Sequence, residues 1–361
     1  MSRRRFLWRM AVGIQSALPA LALPDEAASR SAASTPCGRL PRGLCLRDVA
    51  LRRLHHNGHG FVNPFCHRSY WRPWQLLRWK LFSTNPYKHL FTGEADRPVL
   101  IDVSALSRHN GLSITFVNHA SVLIRDPACS LLIDPVFFGL TPMIHDFTPL
   151  RFVEDRLPRP DAVLITHGHY DHLDRKTLKA IGPDTRVVTP LGYEALFDDL
   201  GFQHQTRLDW FASVSLGDWR VTLVPAHHWT MRNPLVGPNT ALWGGYLIQT
   251  AGGYTIYYSG DTANFDGFGD IGREADIDLA IISLGAYAPR WFMADSHIDP
   301  AQTVDAFRDL GAQRLMVVHW GTFRLGDEPV YLPPVTLARE MEKAGLSDRL
   351  VRLAPGETLR L

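Results

Sequence analysis

Short runs of β-branched and aliphatic residues recur along the chain from about residue 113, and each run ends at a turn or at a polar residue, often histidine or aspartate. Runs of this kind, bounded by turn residues, predict β-strands. We predict strands at Ser113–Ile124, Ser130–Ile133, Ala162–Ile165, Arg220–Val224, Tyr254–Tyr258, Leu279–Ser283 and Leu315–Val318. The repeated ending of strands on histidine or aspartate is the strongest signal in the sequence.

Helical patterns lie between several of the predicted strands. The segment Leu173–Ile181 has Asp174 placed as an N-cap and Gly182 as a stop. The segment Ala301–Leu310 follows an Asp299-Pro300 pair and spaces its apolar side chains along one face. The mixture of strands and helices predicts an α/β protein.

The composition is that of an ordinary globular protein. The chain has 361 residues with 38 Lys and Arg against 36 Asp and Glu, a formal net charge of +2, and 45% hydrophobic residues. These values exclude a disordered tail, a collagen-like repeat and a coiled coil. They also argue against a nucleic-acid binder that works by bulk positive charge. The 16 histidines are the unusual feature, so histidine is where we look for function.

Positive charge is concentrated at the N-terminus, where residues 1–55 contain ten Arg and three acidic residues. The run Arg3–Arg5 precedes the apolar stretch Met10–Leu23, which contains small residues at Ala20–Ala22. This order predicts a secretory signal of the twin-arginine type over residues 1–22 and export to the periplasm. The alternative is a disordered or mis-started N-terminus and a cytoplasmic protein.

Residues 23–60 are predicted to form a linker or N-terminal extension, and residues 61–361 one folded domain. The domain begins with an aromatic-rich segment, residues 61–95, in which aromatic side chains alternate with Arg and Lys. The aromatic residues are Trp71, Trp74, Trp79, Phe82 and Tyr87. They suit peripheral contact with a membrane surface. The alternative is that they only cover the core.

The four cysteines are spread along the chain. Cys37 and Cys45 lie eight residues apart and are candidates for a small disulfide loop in an oxidising compartment, whereas Cys66 and Cys129 are isolated. We favour the interpretation in which all four are small buried or loop residues. None belongs to a Cys-x-x-Cys pair, so a structural zinc site made of thiolates is not expected.

The segment His167-Gly168-His169-Tyr170-Asp171-His172 places four candidate metal ligands within six residues, directly after an apolar strand. Side chains at i and i+2 of an extended segment point the same way, so His167 and His169 can converge on one ion. Asp171 and His172 lie where the chain turns toward the next helix and can face a second ion. This spacing predicts a metal site.

The same segment matches the His-x-His-x-Asp-His signature of the metallo-β-lactamase fold superfamily, which the chain resembles over about residues 60–361. The later motifs follow in the expected order: His228 after a strand, Ser259-Gly260-Asp261-Thr262, and Val318-His319-Trp320-Gly321-Thr322-Phe323. More specific segments, such as Pro289-Arg290-Trp291-Phe292-Met293 and His297-Ile298-Asp299-Pro300, are similar to the N-acylphosphatidylethanolamine-hydrolysing phospholipase D branch. One departure is Asn118 before His119, where such proteins commonly carry glycine.

The resemblance implies a four-layer αββα sandwich with two metal ions. In this resemblance the ligands of the first ion are His167, His169 and His228. The ligands of the second ion are Asp171, His172 and His319, and Asp261 bridges both ions. Imidazole and carboxylate ligands without thiolate suit Zn²⁺, with iron and manganese as alternatives. Coordination lowers the pKa of water to about 7. We therefore expect a hydroxide between the ions to attack the phosphorus of a diester, with Asp171, Asp261 and His297 as catalytic residues.

Several neighbouring residues have two interpretations. His227 is an alternative ligand to His228, because adjacent residues of a strand face opposite ways. The pair His228-Trp229 is similar to the same phospholipase D branch, which favours His228. His297 is either a proton donor beside the ions or a cap of the following helix. Asp134 and His119 either orient a metal ligand or only form a turn.

The implied activity is cleavage of the phosphodiester of an N-acylphosphatidylethanolamine-type phospholipid, which releases phosphatidic acid and an N-acylethanolamine. A metal-dependent lactonase acting on a sugar lactone or another small substrate is one alternative, and an inactive metal-binding scaffold is another. The expected partners are the phospholipid substrate and a membrane surface, without nucleic acid. The oligomeric state stays open, with a homodimer among the possibilities.

Overall fold

The computed structural model describes residues 37–66, 72–108, 110–153 and 159–361. The predicted signal segment 1–22 and Trp71 therefore lie outside the described residues. Within the described ranges, no helix is both long and apolar enough to cross a membrane.

The strands, numbered along the chain, are β1 (His56–Asn57), β2 (Gly60–Phe61), β3 (Val99–Ile101), β4 (Ser113–Asn118), β5 (Ser121–Arg125), β6 (Ser130–Ile133), β7 (Leu150–Phe152), β8 (Ala162–Leu164), β9 (Arg186–Pro190), β10 (Gln205–Leu208), β11 (Ser213–Leu216), β12 (Trp219–Val224), β13 (Gly245–Gln249), β14 (Thr255–Tyr258), β15 (Leu279–Ser283), β16 (Arg314–Val318) and β17 (Thr358–Arg360). The α-helices are α1 (Leu46–Leu51), α2 (Pro73–Phe82), α3 (Val103–Ser107), α4 (Arg175–Ile181), α5 (Glu194–Asp199), α6 (Phe268–Gly272), α7 (Arg290–Met293), α8 (Pro300–Asp309) and α9 (Leu332–Lys343). Short 3₁₀ helices cover Lys88–Gly93 and Ser347–Arg349.

Seven strands form the first sheet, in the order β10-β9-β8-β6-β5-β4-β17. Strands β6, β8, β9 and β10 are parallel, and β17, β4, β5 and β6 are antiparallel. Parallel strands are buried on both faces and need helices over the outer one. Here Leu178 of α4 and Phe197 of α5 pack in one cluster with Val163 and Val187 of the strands.

Six strands form the second sheet, in the order β11-β12-β13-β14-β15-β16. Its last three strands are parallel, so the chain must cross over between β15 and β16, and it does so through α8. Helix α8 buries Val304 and Phe307 and packs beside α6 and α9. This arrangement supplies the outer helical layer on the second side.

Buried tyrosines connect the two sheets. The hydroxyl of Tyr246 in β13 donates to the Ile165 carbonyl at 2.7 Å, and that of Tyr258 in β14 donates to the Ala120 carbonyl at 2.5 Å. Both bonds satisfy a polar group that would otherwise be buried without a partner. The predicted αββα sandwich is therefore confirmed.

Six of the seven predicted strands agree with the structure to within one residue at each end. The prediction of one strand over Ser113–Ile124 is wrong, because the structure divides this run into the antiparallel strands β4 and β5. The chain turns at His119, whose φ of 42° is left-handed. Because the turn residue is histidine and not glycine, the sequence does not mark the break between β4 and β5.

Part of the predicted linker is folded. Helix α1 buries Leu46 and Val49 completely, and the Leu46 amide donates to Asp270 at 2.6 Å. Strands β1 and β2 form a hairpin, and the Phe61 amide donates to the carbonyl of Asn239 at 2.8 Å. The described residues between 37 and 60 thus pack on the core instead of forming a free linker.

The cysteine predictions are also corrected by the structure. Cys37 forms a disulfide with Cys66 and not with Cys45, and the Gly38 amide donates to the Phe65 carbonyl beside it. Cys45 is exposed and free, and Cys129 is buried and free. This pairing carries no local signal in the sequence, because the two half-cystines are 29 residues apart along the chain and meet only in the folded protein.

Candidate metal centre

Strand ends gather the predicted ligands at one edge of the sandwich. The loop after β8 carries His167, His169, Asp171 and His172. His228, Asp261 and His319 follow β12, β14 and β16 in the second sheet. The carboxyl ends of neighbouring parallel strands meet at one edge, which is where α/β folds place their sites. All seven side chains converge there.

Three histidines form the first group. His167 Nε2 lies 2.9 Å from His169 Nδ1, and His228 Nε2 lies 3.3 Å from the same atom. His227 points away, with its Nδ1 3.3 Å from the carbonyl of Asn264. The structure therefore brings His228, and not His227, into the group.

The second group consists of Asp171, His172 and His319. Asp171 Oδ2 lies 3.2 Å from His319 Nε2 and 3.7 Å from His172 Nε2. Asp261 lies between the two groups: its Oδ2 is 3.2 Å from His172 Nε2, 3.3 Å from His319 Nε2 and 3.9 Å from both His167 Nε2 and His228 Nε2.

The donor atoms fit metal ions. Four ring nitrogens and a carboxylate oxygen face one another in a buried space, an arrangement that is costly unless a cation neutralises it. His172 Nε2 and Asp261 Oδ1 are buried and have no hydrogen-bond partner among the described residues. Imidazole and carboxylate donors at this spacing form the histidine–aspartate clusters of metal-binding sites.

A layer of hydrogen bonds orients the ligand rings. Asp134, fully buried at the end of β6, accepts from His172 Nδ1 at 2.8 Å and from the Thr166 hydroxyl at 2.6 Å. His228 Nδ1 donates to the Ser296 carbonyl at 2.9 Å. Such bonds fix the ring tautomer and leave Nε2 available for a metal. Of the two interpretations for Asp134, the structure therefore favours orientation of a ligand.

His119 is the second residue that the sequence left open. It is buried, its Nε2 lies 3.1 Å from Asp171 Oδ2, and its carbonyl accepts from the His319 amide at 2.6 Å. It thus contacts two members of the second group. The preceding Asn118, which replaces the usual glycine, donates from its side chain to the Val136 carbonyl at 2.9 Å.

His297 lies at the side of the cluster. Its Nδ1 is 3.9 Å from Asp261 Oδ2, and its ring centre is 5.5 Å from that of His228. The capping interpretation is wrong, because Asp299 is the N-cap of α8 and accepts from the Gln302 amide at 2.9 Å. Arg290 holds the segment by donating to the His297 carbonyl at 2.8 Å.

Burial and charge set the protonation of the cluster. Burial raises the pKa of Asp261, but the charges of His172 and His319 outweigh this effect and hold that pKa well below its ordinary value. Burial lowers the pKa of His319, but the neighbouring carboxylates raise it to about 9. Burial also lowers the pKa of His297 to about 4. The carboxylates therefore stay ionised near neutral pH, and His297 is neutral there.

Some supporting residues were not predicted. Glu328 is buried and accepts from the amides of Tyr287 and Ala288 at 3.0 and 3.1 Å, which fixes the loop before α7. Burial raises the pKa of the Glu328 carboxyl. Glu328 and Ser296 act across 41 and 68 residues of sequence, and an acid or a serine alone carries no spacing signal.

The two-sheet sandwich and the histidine–aspartate cluster at its edge are together typical of a metal-dependent hydrolase. Residues 130–320 match the family described as Beta-lactamase superfamily domain. The chain therefore belongs to the metallo-β-lactamase fold superfamily, and its relatives include N-acylphosphatidylethanolamine-hydrolysing enzymes.

Two relatives illustrate the sequence similarity. The chain is 31% identical to N-acyl-phosphatidylethanolamine-hydrolyzing phospholipase D 1 of Caenorhabditis elegans over 255 residues, which are 65% of this chain and 71% of that protein. It is 29% identical to a UPF0173 metal-dependent hydrolase of Nitratidesulfovibrio vulgaris, over 69% of this chain and 95% of that protein. The chain spans only 61% of the length of an uncharacterized protein of Mycobacterium tuberculosis, at 32% identity, and 49% of the length of the N-acyl-phosphatidylethanolamine-hydrolyzing phospholipase D of Saccharomyces cerevisiae, at 30% identity.

A solved structure supports the fold. Igni18, described as a novel metallo hydrolase from the archaeon Ignicoccus hospitalis, superimposes with a TM-score of 0.53 at 20% identity, over 69% of this chain and 98% of its own. At this level of identity the likeness concerns the fold alone.

Proposed function

We propose that the protein is a dinuclear-metal phosphodiesterase that acts on N-acylphosphatidylethanolamine-type phospholipids and releases phosphatidic acid and an N-acylethanolamine. The observation that carries the proposal is the position of Asp261 between two ligand groups, because a pair of ions suits in-line displacement at phosphorus. The similarity to the nematode phospholipase D supports the choice of lipid.

The residues present have defined roles in this proposal. His167, His169 and His228 would hold one ion, Asp171, His172 and His319 the other, and Asp261 both. Two bound ions would supply an activated water at neutral pH and neutralise charge on a phosphoryl oxygen. Zinc is the proposed metal because imidazole and carboxylate ligands without thiolate suit it. Iron and manganese, which bind the same types of ligand, are the alternatives.

The neutral His297 has one ring N–H, and its ring centre lies 5.5 Å from that of His228 and 5.7 Å from that of His319. It is placed to donate a hydrogen bond to the leaving-group oxygen of the substrate and so to stabilise the negative charge that would develop there. The released alcohol would take its proton from solvent. Asp171 and Asp261 keep their negative charge near neutral pH. They therefore serve as ligands and not as acids.

A soluble diester tests the activity without the complication of lipid. Protein stripped of metal and then restored with Zn²⁺ is incubated with bis(p-nitrophenyl) phosphate and, separately, with a sugar lactone. Release of p-nitrophenol that depends on metal supports the proposal, and Asp261→Asn should abolish it. Turnover of the lactone alone would favour a lactonase, and no turnover with two ions bound would favour an inactive scaffold.

Helix α2 supports contact with a membrane surface. Its side chains Trp74 and Phe82 are 81% and 78% exposed. Residues 61–93 contain five Arg and Lys and no Asp or Glu. Arg72 pairs with Asp295 at 3.4 Å, and the other basic residues leave the segment with an excess of positive charge. Exposed aromatic side chains together with such an excess suit an anionic lipid surface. Trp79, by contrast, is buried, so part of the aromatic segment does cover the core.

The helix is attached next to the metal centre. Trp79 donates from Nε1 to Asp327 at 2.9 Å, and Arg72 donates to the Phe292 carbonyl in α7 at 3.1 Å. Helix α7 leads directly to His297, whose amide donates to the carbonyl of Met293 at 2.9 Å. A lipid surface bound to α2 would therefore present headgroups close to His297.

Sedimentation with anionic phospholipid vesicles tests this contact. The double variant Trp74→Ser/Phe82→Ser should lose most of the vesicle binding of the wild type. Its turnover of the soluble diester should not change. Leu51→Ser is the matched control, because Leu51 is an equally exposed apolar residue on another helix. Unchanged sedimentation of the double variant would contradict the membrane proposal.

The Cys37–Cys66 disulfide supports export. Disulfides persist in oxidising compartments such as the periplasm and are rare in the cytosol. We therefore keep the twin-arginine signal and periplasmic location as part of the proposal. Cleavage of residues 1–22 in protein recovered from the periplasmic fraction tests it.

A further inference from the structure

The segment His167–Leu173, called the ligand loop here, carries four of the seven converging side chains and contains neither strand nor helix. Its internal backbone bonds run from the amides of His172 and Leu173 to the His169 carbonyl, at 3.2 and 2.9 Å. These bonds close one turn but do not connect the start of the loop to its end. Contacts from outside the loop must therefore define its shape.

A second segment, residues 229–241, makes those contacts. The Gly168 amide donates to the Thr230 hydroxyl at 2.9 Å. Arg232 donates from a single nitrogen, Nη1, to the carbonyls of Gly168 and Leu173, at 2.9 and 2.8 Å. The Tyr170 hydroxyl donates back to the Arg232 carbonyl at 2.5 Å, and the Tyr170 ring lies 4.6 Å from the guanidinium carbon.

We infer that Arg232 is a positioning residue for the metal centre, which holds the two halves of the ligand loop at the separation that two ions require. The Gly168 carbonyl lies between His167 and His169 of the first group, and Leu173 directly follows His172 of the second. One nitrogen that bonds both carbonyls therefore ties the first group to the second. This role belongs to the metal centre and is independent of the substrate.

The surroundings of Arg232 agree with this role. Its guanidinium contacts carbonyl oxygens and an aromatic ring, and no carboxylate among the described residues is paired with it. Burial lowers the pKa of the Arg232 guanidinium. A partly buried cation without an anionic partner is costly, and here its two charge-assisted bonds go to the ligand loop.

The ligand loop is packed closely against residues 229–241 at Gly168. A Cβ atom at Gly168 would come within 2.9 Å of both the Thr230 hydroxyl and the Tyr193 ring. The loop therefore lies against Thr230 and Tyr193 without a gap.

The test is metal binding, measured with Co²⁺ as a spectroscopic probe on metal-stripped protein. Arg232→Met keeps the apolar stem and removes the donors, so its Co²⁺ affinity should fall about 10- to 100-fold, the usual effect of losing an outer support of a metal ligand, and its visible spectrum should change. Arg232→Lys keeps a charged donor and should recover most of the affinity. Arg175→Met, which removes an equal charge from the exposed start of α4, is the matched control and should bind Co²⁺ as the wild type does.

A Co²⁺ affinity and spectrum in Arg232→Met equal to those of the wild type would overturn the inference. This holds even if the melting temperature of the variant falls, because Arg232 would then contribute to stability alone. If Arg232→Met does not fold, Tyr170→Ala decides in the same assay. Tyr170 is 59% exposed, so its replacement spares the core while it removes the ring and the hydroxyl that hold Arg232 in position. A wild-type spectrum and affinity in Tyr170→Ala would then overturn the inference.

Discussion

Replacement of Asp134 by asparagine tests how the metal centre is oriented. The Asp134 carboxylate accepts three hydrogen bonds: Thr166 N at 2.8 Å to one oxygen, and the Thr166 hydroxyl at 2.6 Å and His172 Nδ1 at 2.8 Å to the other. Asparagine has the same shape but presents a donor in place of one oxygen. With its carbonyl toward Thr166 N, its amide nitrogen faces the Nδ1–H of His172, and two donors then oppose each other.

His172 has only one way to restore a hydrogen bond. Its ring must move the proton from Nδ1 to Nε2, the atom that faces Asp261 and Asp171, and a protonated Nε2 cannot bind a metal. A hydrogen bond to a charged acceptor contributes about 1.5–3 kcal/mol. That value corresponds to about 10- to 150-fold at about 1.4 kcal/mol per tenfold change. The loss of an outer support of a metal ligand typically weakens binding by about 10- to 100-fold.

We therefore expect Asp134→Asn to weaken one of two metal-binding events by about 10- to 100-fold, a range in which both magnitudes agree. The event affected is the one that involves His172. The assay is titration of metal-stripped protein with Zn²⁺ in competition with a chromophoric chelator. Asp174→Asn is the matched control, since Asp174 caps α4 and asparagine caps equally well. Two binding events within threefold of the wild type would refute the reasoning.

Three further predictions follow from other contacts. Burial raises the pKa of Asp209, but hydrogen bonds from two histidines outweigh this effect and lower that pKa to about 2. The carboxylate therefore contributes stability above about pH 4, and this contribution is lost as the pH falls toward 2. Asp209→Asn should lower the free energy of unfolding, measured with urea at pH 7, by about 1–2 kcal/mol, and a difference that does not change with pH would contradict this prediction. Cys37→Ser/Cys66→Ser should lower the free energy of unfolding by about 2–4 kcal/mol, while Cys45→Ser, measured in parallel, should not change it. His297→Ala should reduce kcat for a lipid diester about 100-fold or more, because it removes a hydrogen-bond donor to the leaving oxygen, with metal content unchanged. Loss of an ion in that variant would show that the residue supports the metal instead.

The metal ligands were predictable because their signal is local. His167, His169, Asp171 and His172 lie within six residues, and the remaining ligands each follow an apolar run that reads as a strand. The strand ends meet at one edge because the fold requires it. The pattern of strands and helices predicts an α/β protein, and the four-layer sandwich was implied by the resemblance to the metallo-β-lactamase fold superfamily.

The parts that were not predicted depend on contacts between distant segments. The Cys37–Cys66 bond and the Ser296 carbonyl that holds His228 join residues whose sequence neighbours carry no matching pattern. Helix α9 was overlooked because Pro333 and Pro334 look like breakers, whereas in the first turn of a helix a proline is tolerated. Such features become visible only when the tertiary fold is known.

The central claim is that two metal ions in this cluster cleave the phosphodiester of an N-acylated phospholipid. The most direct measurement is product analysis on vesicles that contain N-acylphosphatidylethanolamine, with metal-stripped protein restored by increasing amounts of Zn²⁺. We predict that phosphatidic acid and N-acylethanolamine are formed in equal amounts and reach full rate at two ions per chain. Binding of two ions per chain without formation of phosphatidic acid would contradict the claim.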